Sequence, residues 1–139
     1  MDNYQLLKVI SVFGHLKYRY LGSFPSDLVP ERIPNGMFCI VNIDRSDQGG
    51  THWILFANKN GKVFFGDSMG KALNDYPNIH FDSSTARSIV PLVSVGQQLQ
   101  YGSYCGLYCI YFAHVLYSNS FSECFIDDNF LLRFFSTYT

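Results

Sequence analysis

The sequence predicts an α+β fold: a central mixed, mostly antiparallel sheet packed against one buried helix that carries a cysteine, with further helices flanking it. Three observations predict it. Short apolar runs rich in strand formers, Met37 to Ile43, Trp53 to Ala57 and Lys62 to Gly66, crowd the first half of the chain. Asn60-Gly61, between the last two runs, has the chemistry of a two-residue hairpin turn, because both residues tolerate positive φ. The stretch CGLYCIYFAHVLY, Cys105 to Tyr117, is apolar almost all round, as expected for a helix enclosed by the domain. At 139 residues the chain has the size of one domain with one core, so residues 1–139 are taken as a single unit.

The remaining elements follow in chain order. Asp2 or Asn3 caps a first helix whose apolar residues Leu6, Leu7, Val9, Ile10 and Phe13 recur at helical spacing, with Gly14 as its stop. Pro25, Pro30 and Pro34 make residues 18–35 an extended, looped connection with a short strand near Tyr20. Beyond the hairpin, Asp67 closes the second strand and Ser68, Met69 and Gly70 form a loop. Ile79 to Phe81 and Ile89 to Val95 read as two further strands, separated by a short helix in DSSTARS. Asp127 caps a final helix through Phe130, Leu131, Leu132, Phe134 and Phe135.

Composition excludes several classes of function. Hydrophobic residues are 47% and charged residues 15%, which describes a folded chain and not a disordered one. A net charge of −1 gives no general drive toward nucleic acid or anionic lipid. No apolar run approaches the roughly 20 residues that span a bilayer, and MDNYQLLKV lacks the basic start and apolar stretch of a signal peptide, so an intracellular, unsecreted protein is expected. In that setting Cys39, Cys105, Cys109 and Cys124 are expected as free thiols. Only Cys105 and Cys109 lie close together, on one helix, so no structural metal site is expected.

Cys105 stands at the first turn of the apolar helix, where unsatisfied backbone N–H groups and the helix dipole favour thiolate over thiol. Cys109, one turn further in, reads as packing. Of the four histidines, His15 sits beside a helix stop, His80 in a weak strand and His114 inside the helix. His52 differs: it follows QGGT and opens the strand WILFA, beside a glycine turn that a substrate backbone could approach. If the Asn60-Gly61 hairpin pairs its two strands, the end of the second lies beside the start of the first and brings Asp67 to His52. A carboxylate there would orient the imidazole and stabilise its cation, completing a nucleophilic site with Cys105. A side-chain amide from Gln97, Gln98 or Gln100, with the Cys105 backbone N–H, could stabilise the oxyanion formed when a thiolate attacks a carbonyl.

The chain order His52, Asp67, Gln98, Cys105, with GGTHW before and around the histidine, DSMG at the aspartate and YCGLYC around the cysteine, resembles adenain, the adenovirus maturation protease family. More broadly it resembles the cysteine peptidase clan that includes the SUMO-specific proteases. The family pattern is Gly-Gly-x-His-Trp, then an acidic residue closely followed by glycine, then Gln and Cys-Gly-Leu. YLGSF and CIVNIDRSDQGGTHWILFA extend the resemblance over most of residues 1–118, and the order is the reverse of papain-like enzymes, where cysteine comes first. The adenain spacing of glutamine to cysteine selects Gln98. The resemblance implies His52 as general base, Asp67 as its orienting acid, Cys105 as nucleophile and Gln98 as oxyanion donor, with Gly50 and Trp53 as neighbours of the site.

The resemblance further implies a thiol endopeptidase that cleaves viral, or viral-like element, capsid and core precursors. It would act in the nucleus or cytoplasm of an infected cell, or in the virion. It also implies an activating peptide and DNA as cofactors. The lack of a cysteine between Arg87 and Val95 argues against a disulfide-linked peptide, and the slightly acidic charge argues against DNA, so no cofactor is expected to be required. The short segment after the central helix reads as a minimal version of the fold. Rival readings are a ubiquitin- or SUMO-type isopeptidase, a cysteine acyltransferase, and an inactive binding module of the same fold.

Overall fold

Asp2 starts the first helix, α1 (Asn3–Ile10), through a reciprocal cap: its carboxylate accepts from the Gln5 N–H at 2.8 Å and the Gln5 side chain accepts from the Asp2 N–H at 2.9 Å. The computed structural model describes residues 1–47, 52–92, 104–118 and 127–137. The helix ends earlier than its periodicity suggests. The Ser11 hydroxyl donates to the Leu7 carbonyl at 2.7 Å, and a tight turn carries Phe13 into the core, so Gly14 opens a second short helix, α2 (Gly14–Lys17), and stops nothing.

Five strands form one mixed sheet in the order of the sequence: β1 (Tyr20–Pro25), β2 (Phe38–Asn42), β3 (Trp53–Lys59), β4 (Lys62–Gly66) and β5 (Ile89–Pro91). The two inner pairings, β2 with β3 and β3 with β4, are antiparallel; the outer ones, β1 with β2 and β4 with β5, are parallel. The strand expected near Tyr20 is thus a full edge strand, returned to the sheet by the proline-bearing segment 26–37. The β3–β4 turn is built as its sequence requires, with positive φ at both Asn60 (56°) and Gly61 (87°).

Between β4 and β5 lies α3 (Ser83–Arg87), capped by the Asp82 carboxylate on the Thr85 N–H at 2.8 Å. The strand expected at Ile79–Phe81 is absent. Those residues form a loop whose apolar side chains still pack on the sheet, the Phe81 ring lying edge-on to Phe56 at 4.9 Å. Their alternation reflects two side chains turned inward and not a hydrogen-bonded ladder.

Strands β2 and β3 read as continuous apolar runs because both faces of the sheet are covered. Phe38, Ile40, Trp53, Leu55 and Ala57 face the helices, while Cys39, Val41, Ile54 and Phe56 face a second cluster with Ile33, Val63, Phe65 and Tyr76. Across the first face runs α4 (Cys105–Tyr117), with nine of its thirteen residues buried, which explains its lack of a polar side. The last helix, α5 (Asp128–Ser136), is capped by Asp127 on the Phe130 N–H at 2.9 Å and buries Leu131 and Phe135, four residues apart on one face. Tyr108 of α4 donates to Asp128 at 2.6 Å and ties the two helices.

Gly106, in the first turn of α4, sets how closely α1 approaches. A Cβ there would lie 2.8 Å from Leu6 Cδ2 and 3.1 Å from Met1 Sδ, and Leu6 is fully buried. Gly106→Val is therefore expected to lower unfolding stability by about 1–3 kcal/mol through overpacking, against the gain in helix propensity. Urea denaturation reads the sign directly, and a more stable valine variant would show that Leu6 yields.

Candidate active site

Three chain segments meet at one end of the sheet. His52 immediately precedes β3, Asp67 immediately follows β4, and Cys105 is the first residue of α4. The hairpin register, Leu55 opposite Gly66, brings the first two together: His52 Nε2 lies 2.7 Å from Asp67 Oδ1. That bond occupies Nε2 and leaves Nδ1 as the free ring nitrogen, and the imidazole and the Cys105 thiol lie close enough for each to shift the other's ionisation. The Trp53 backbone N–H donates to Cys105 Sγ at 3.4 Å. The tautomer follows: Nε2 carries the proton shared with Asp67, which leaves Nδ1 as the nitrogen able to exchange one with a neighbouring group.

The surroundings decide the charges. His52 is 9% exposed, Asp67 1% and Cys105 5%. Burial alone pushes the imidazole down, but its hydrogen bonds with Asp67 and Cys105, and their charges, outweigh burial and raise it to about 9. Burial also opposes ionisation of the thiol; the His52 hydrogen bond, the Trp53 N–H, the imidazolium charge and the Gly106 N–H overcome it and hold Cys105 below the ordinary thiol value. Tyr104, the residue before α4, makes no side-chain cap, and the Gly106 N–H in the first turn acts on the Cys105 sulfur. Near pH 7 these opposite shifts favour a thiolate–imidazolium pair.

Asp67 stays ionised despite burial because His52, the Tyr76 hydroxyl and the Met69 N–H all donate to it. Met69 N reaches Oδ1 at 2.9 Å, and Tyr76 reaches Oδ2 at 2.5 Å. Asp67 thus both starts its turn and faces the histidine, two roles that compete on paper and coexist in space. The Trp53 indole donates to the Met1 carbonyl at 2.8 Å, which pins the N-terminal strap beside the site.

Gly50, Gln97, Gln98, Gln100 and Cys124 fall outside the described residues. His80 sits in a loop, and His15 pairs with His114 through ring nitrogens 2.8 Å apart, on the α2–α4 contact. Cys39, Cys105 and Cys109 are free thiols. Burial pushes Cys39 up to about 12 and Cys109 well above the ordinary range. Sequence reasoning missed Tyr76 and the Trp53 N–H. A loop tyrosine carries no local signal of the carboxylate it will meet, and a backbone donor carries none at all.

These shifts set an alkylation pattern. Near pH 7, Cys105 in the folded protein is expected to react with iodoacetamide at least about ten times faster than Cys39 or Cys109, measured by peptide mass. Equal labelling of Cys105 and Cys109 would contradict the thiolate at 105.

No family model matches the chain, and no curated protein does. Among solved structures it is similar to the ASFV pS273R protease, with a TM-score of 0.63 at 13% identity over 98% of this chain and 66% of that one. A Se-Met form of that protease aligns over 72% of this chain and 42% of its own, with a TM-score of 0.45 at 17% identity, too weak to add to the comparison. The chain spans about two thirds of the length of the first structure, 66%. Its five-stranded mixed sheet and flanking helices make it an α+β protein with the fold of the ASFV pS273R protease.

Proposed function

We propose that the chain is a cysteine endopeptidase of the clan that includes adenain and the SUMO-specific proteases. The observation that carries this reading is the His52–Asp67 hydrogen bond at 2.7 Å with Cys105 beside the pair, its sulfur bonded by the Trp53 N–H, the thiol shifted down and the imidazole up. The similarity in fold to a viral protease supports it.

In this reading the Cys105 thiolate attacks the carbonyl carbon of a peptide bond, and the carbonyl π electrons move to oxygen. The Cys105 backbone N–H and the Gln98 side-chain amide stabilise that oxyanion. As the tetrahedral intermediate collapses, the C–N bond breaks and the His52 imidazolium gives its Nδ1 proton to the leaving amine, leaving a thioester on Cys105. Neutral His52 then takes a proton from water, whose oxygen attacks the thioester. Collapse expels the thiolate, releases the carboxylic acid product and restores the ion pair. Asp67 remains an anion throughout and steadies the imidazolium. No metal or organic cofactor enters the scheme.

The substrates proposed are structural precursor proteins of a virus or viral-like element, cleaved inside the infected cell or in the virion and not in a secreted compartment. Neither an activating peptide nor DNA is required in this proposal. A diverse peptide library tests the reaction, with Cys105→Ala as the blank. Cleavage by the parent protein alone supports it, whereas equal turnover by both proteins, or none by either, excludes it.

A further inference from the structure

A groove of about 610 Å³ opens beside Trp53, at the same end of the sheet as Cys105 and His52. One wall is the N-terminal strap, Met1 to Tyr4; the other is formed by Pro25 and Asn42 at the ends of β1 and β2, with Asp44, Arg45 and Ser46 beyond them. Trp53 also lines it, and its backbone N–H bonds the Cys105 sulfur while its indole holds the Met1 carbonyl. A polypeptide positioned for attack by Cys105 and running toward this side has the groove in its path.

The second wall is fixed from several directions. The Asp44 N–H donates to Asn42 Oδ1 at 2.9 Å, and its carbonyl accepts from the Ser26 N–H at 2.9 Å. Asp27 holds Ser46 twice, through the N–H at 2.7 Å and the hydroxyl at 2.6 Å. The charges differ in what they already do. Asp2 is committed to capping α1, and Arg45 lies 3.6 Å from Asp47. Asp44 is half-buried, and among the described residues no hydrogen bond or ion pair uses its carboxylate. A carboxylate on a fixed segment lining a groove, with no partner among the described residues, is satisfied by a cation brought from outside.

We infer that this groove holds the substrate on one side of the scissile bond and that Asp44 selects a lysine or arginine side chain there. The inference rests on the endopeptidase reading and adds a specificity determinant to it. Because Asp44 is only half-buried, the discrimination is modest and sensitive to salt.

The test is a peptide library in which each position in turn is fixed as Lys, Arg, Ala or Glu, cleaved by the parent protein and by Asp44→Asn and Asp44→Lys, with Cys105→Ala as the blank. The parent is expected to prefer Lys or Arg over Glu about fourfold at one position, a preference that shrinks as salt rises. Asp44→Asn should erase that preference and Asp44→Lys should reverse it. Parent cleavage with no basic preference, or a preference unchanged in Asp44→Lys, overturns the inference and leaves the endopeptidase standing. No cleavage above the blank overturns both.

Discussion

Cys105→Ala is expected to lower kcat/KM for peptide cleavage by about 10⁴-fold or more, while the protein remains folded. The magnitude follows from the way such groups act: losing one member of a nucleophile and base pair removes nearly all that the pair contributes. The fold should survive because the sulfur contributes little packing and alanine is the best helix former for the first turn of α4. His52 should report the loss. Without the thiolate, one of the two influences that raise His52 to about 9 disappears, so the imidazole of the variant should titrate at lower pH by NMR. Cys105→Ser makes a second comparison. An alkoxide is far harder to form than a thiolate, so serine should be nearly as inactive as alanine. Residual cleavage by the alanine variant close to the parent level would remove Cys105 from the mechanism.

Asp67→Asn should cost about 10²–10⁴ in kcat and should also destabilise the protein. The carboxylate is 1% exposed and accepts from His52, Tyr76 and Met69. An amide offers one oxygen where the carboxylate offers two, so one donor loses its acceptor or meets an N–H, at a cost of about 1–3 kcal/mol. The electrostatic effect is separable from this packing cost. A neutral amide in place of the carboxylate no longer favours imidazolium, so His52 falls from about 9, the thiol loses part of its cationic partner, and iodoacetamide labelling of Cys105 should shift to higher pH. For the parent protein, cleavage should decline as pH rises through about 9, because neutral His52 has no proton to give the leaving amine. Unchanged labelling and turnover in Asp67→Asn would reduce Asp67 to a turn residue.

The pairing of His52 with Asp67 was legible because a two-residue turn fixes register: once Asn60-Gly61 closes the hairpin, each residue on β3 has a determined neighbour on β4. The limits of α4 were legible because a thirteen-residue stretch apolar almost throughout must be largely enclosed, and the observed helix spans the same Cys105–Tyr117. Local patterning failed where tertiary contacts decide. Ile79 and Phe81 alternate like a strand but pack as a loop, and α1 ends at Ile10 although Phe13 keeps its helical phase. The Tyr76–Asp67 and His15–His114 contacts join segments that share no local pattern. A single sequence therefore showed which residues have suitable chemistry, and only the folded chain showed which of their partners come within hydrogen-bonding reach.

The hairpin that presents His52 and Asp67 also grips the opposite end of α4. Lys59, at the far end of β3, donates from Nζ to the Leu116 carbonyl at 2.7 Å, and the Tyr117 hydroxyl sits 2.9 Å from the carbonyl oxygens of both Met37 and Asn58. One two-stranded element thus clamps the helix of Cys105 fore and aft, like a shaft carried in two bearings. Sliding or tilting that shaft enough to part sulfur from imidazole must unseat the rear bearing, roughly three turns away, so disturbance at either end should be felt at the other.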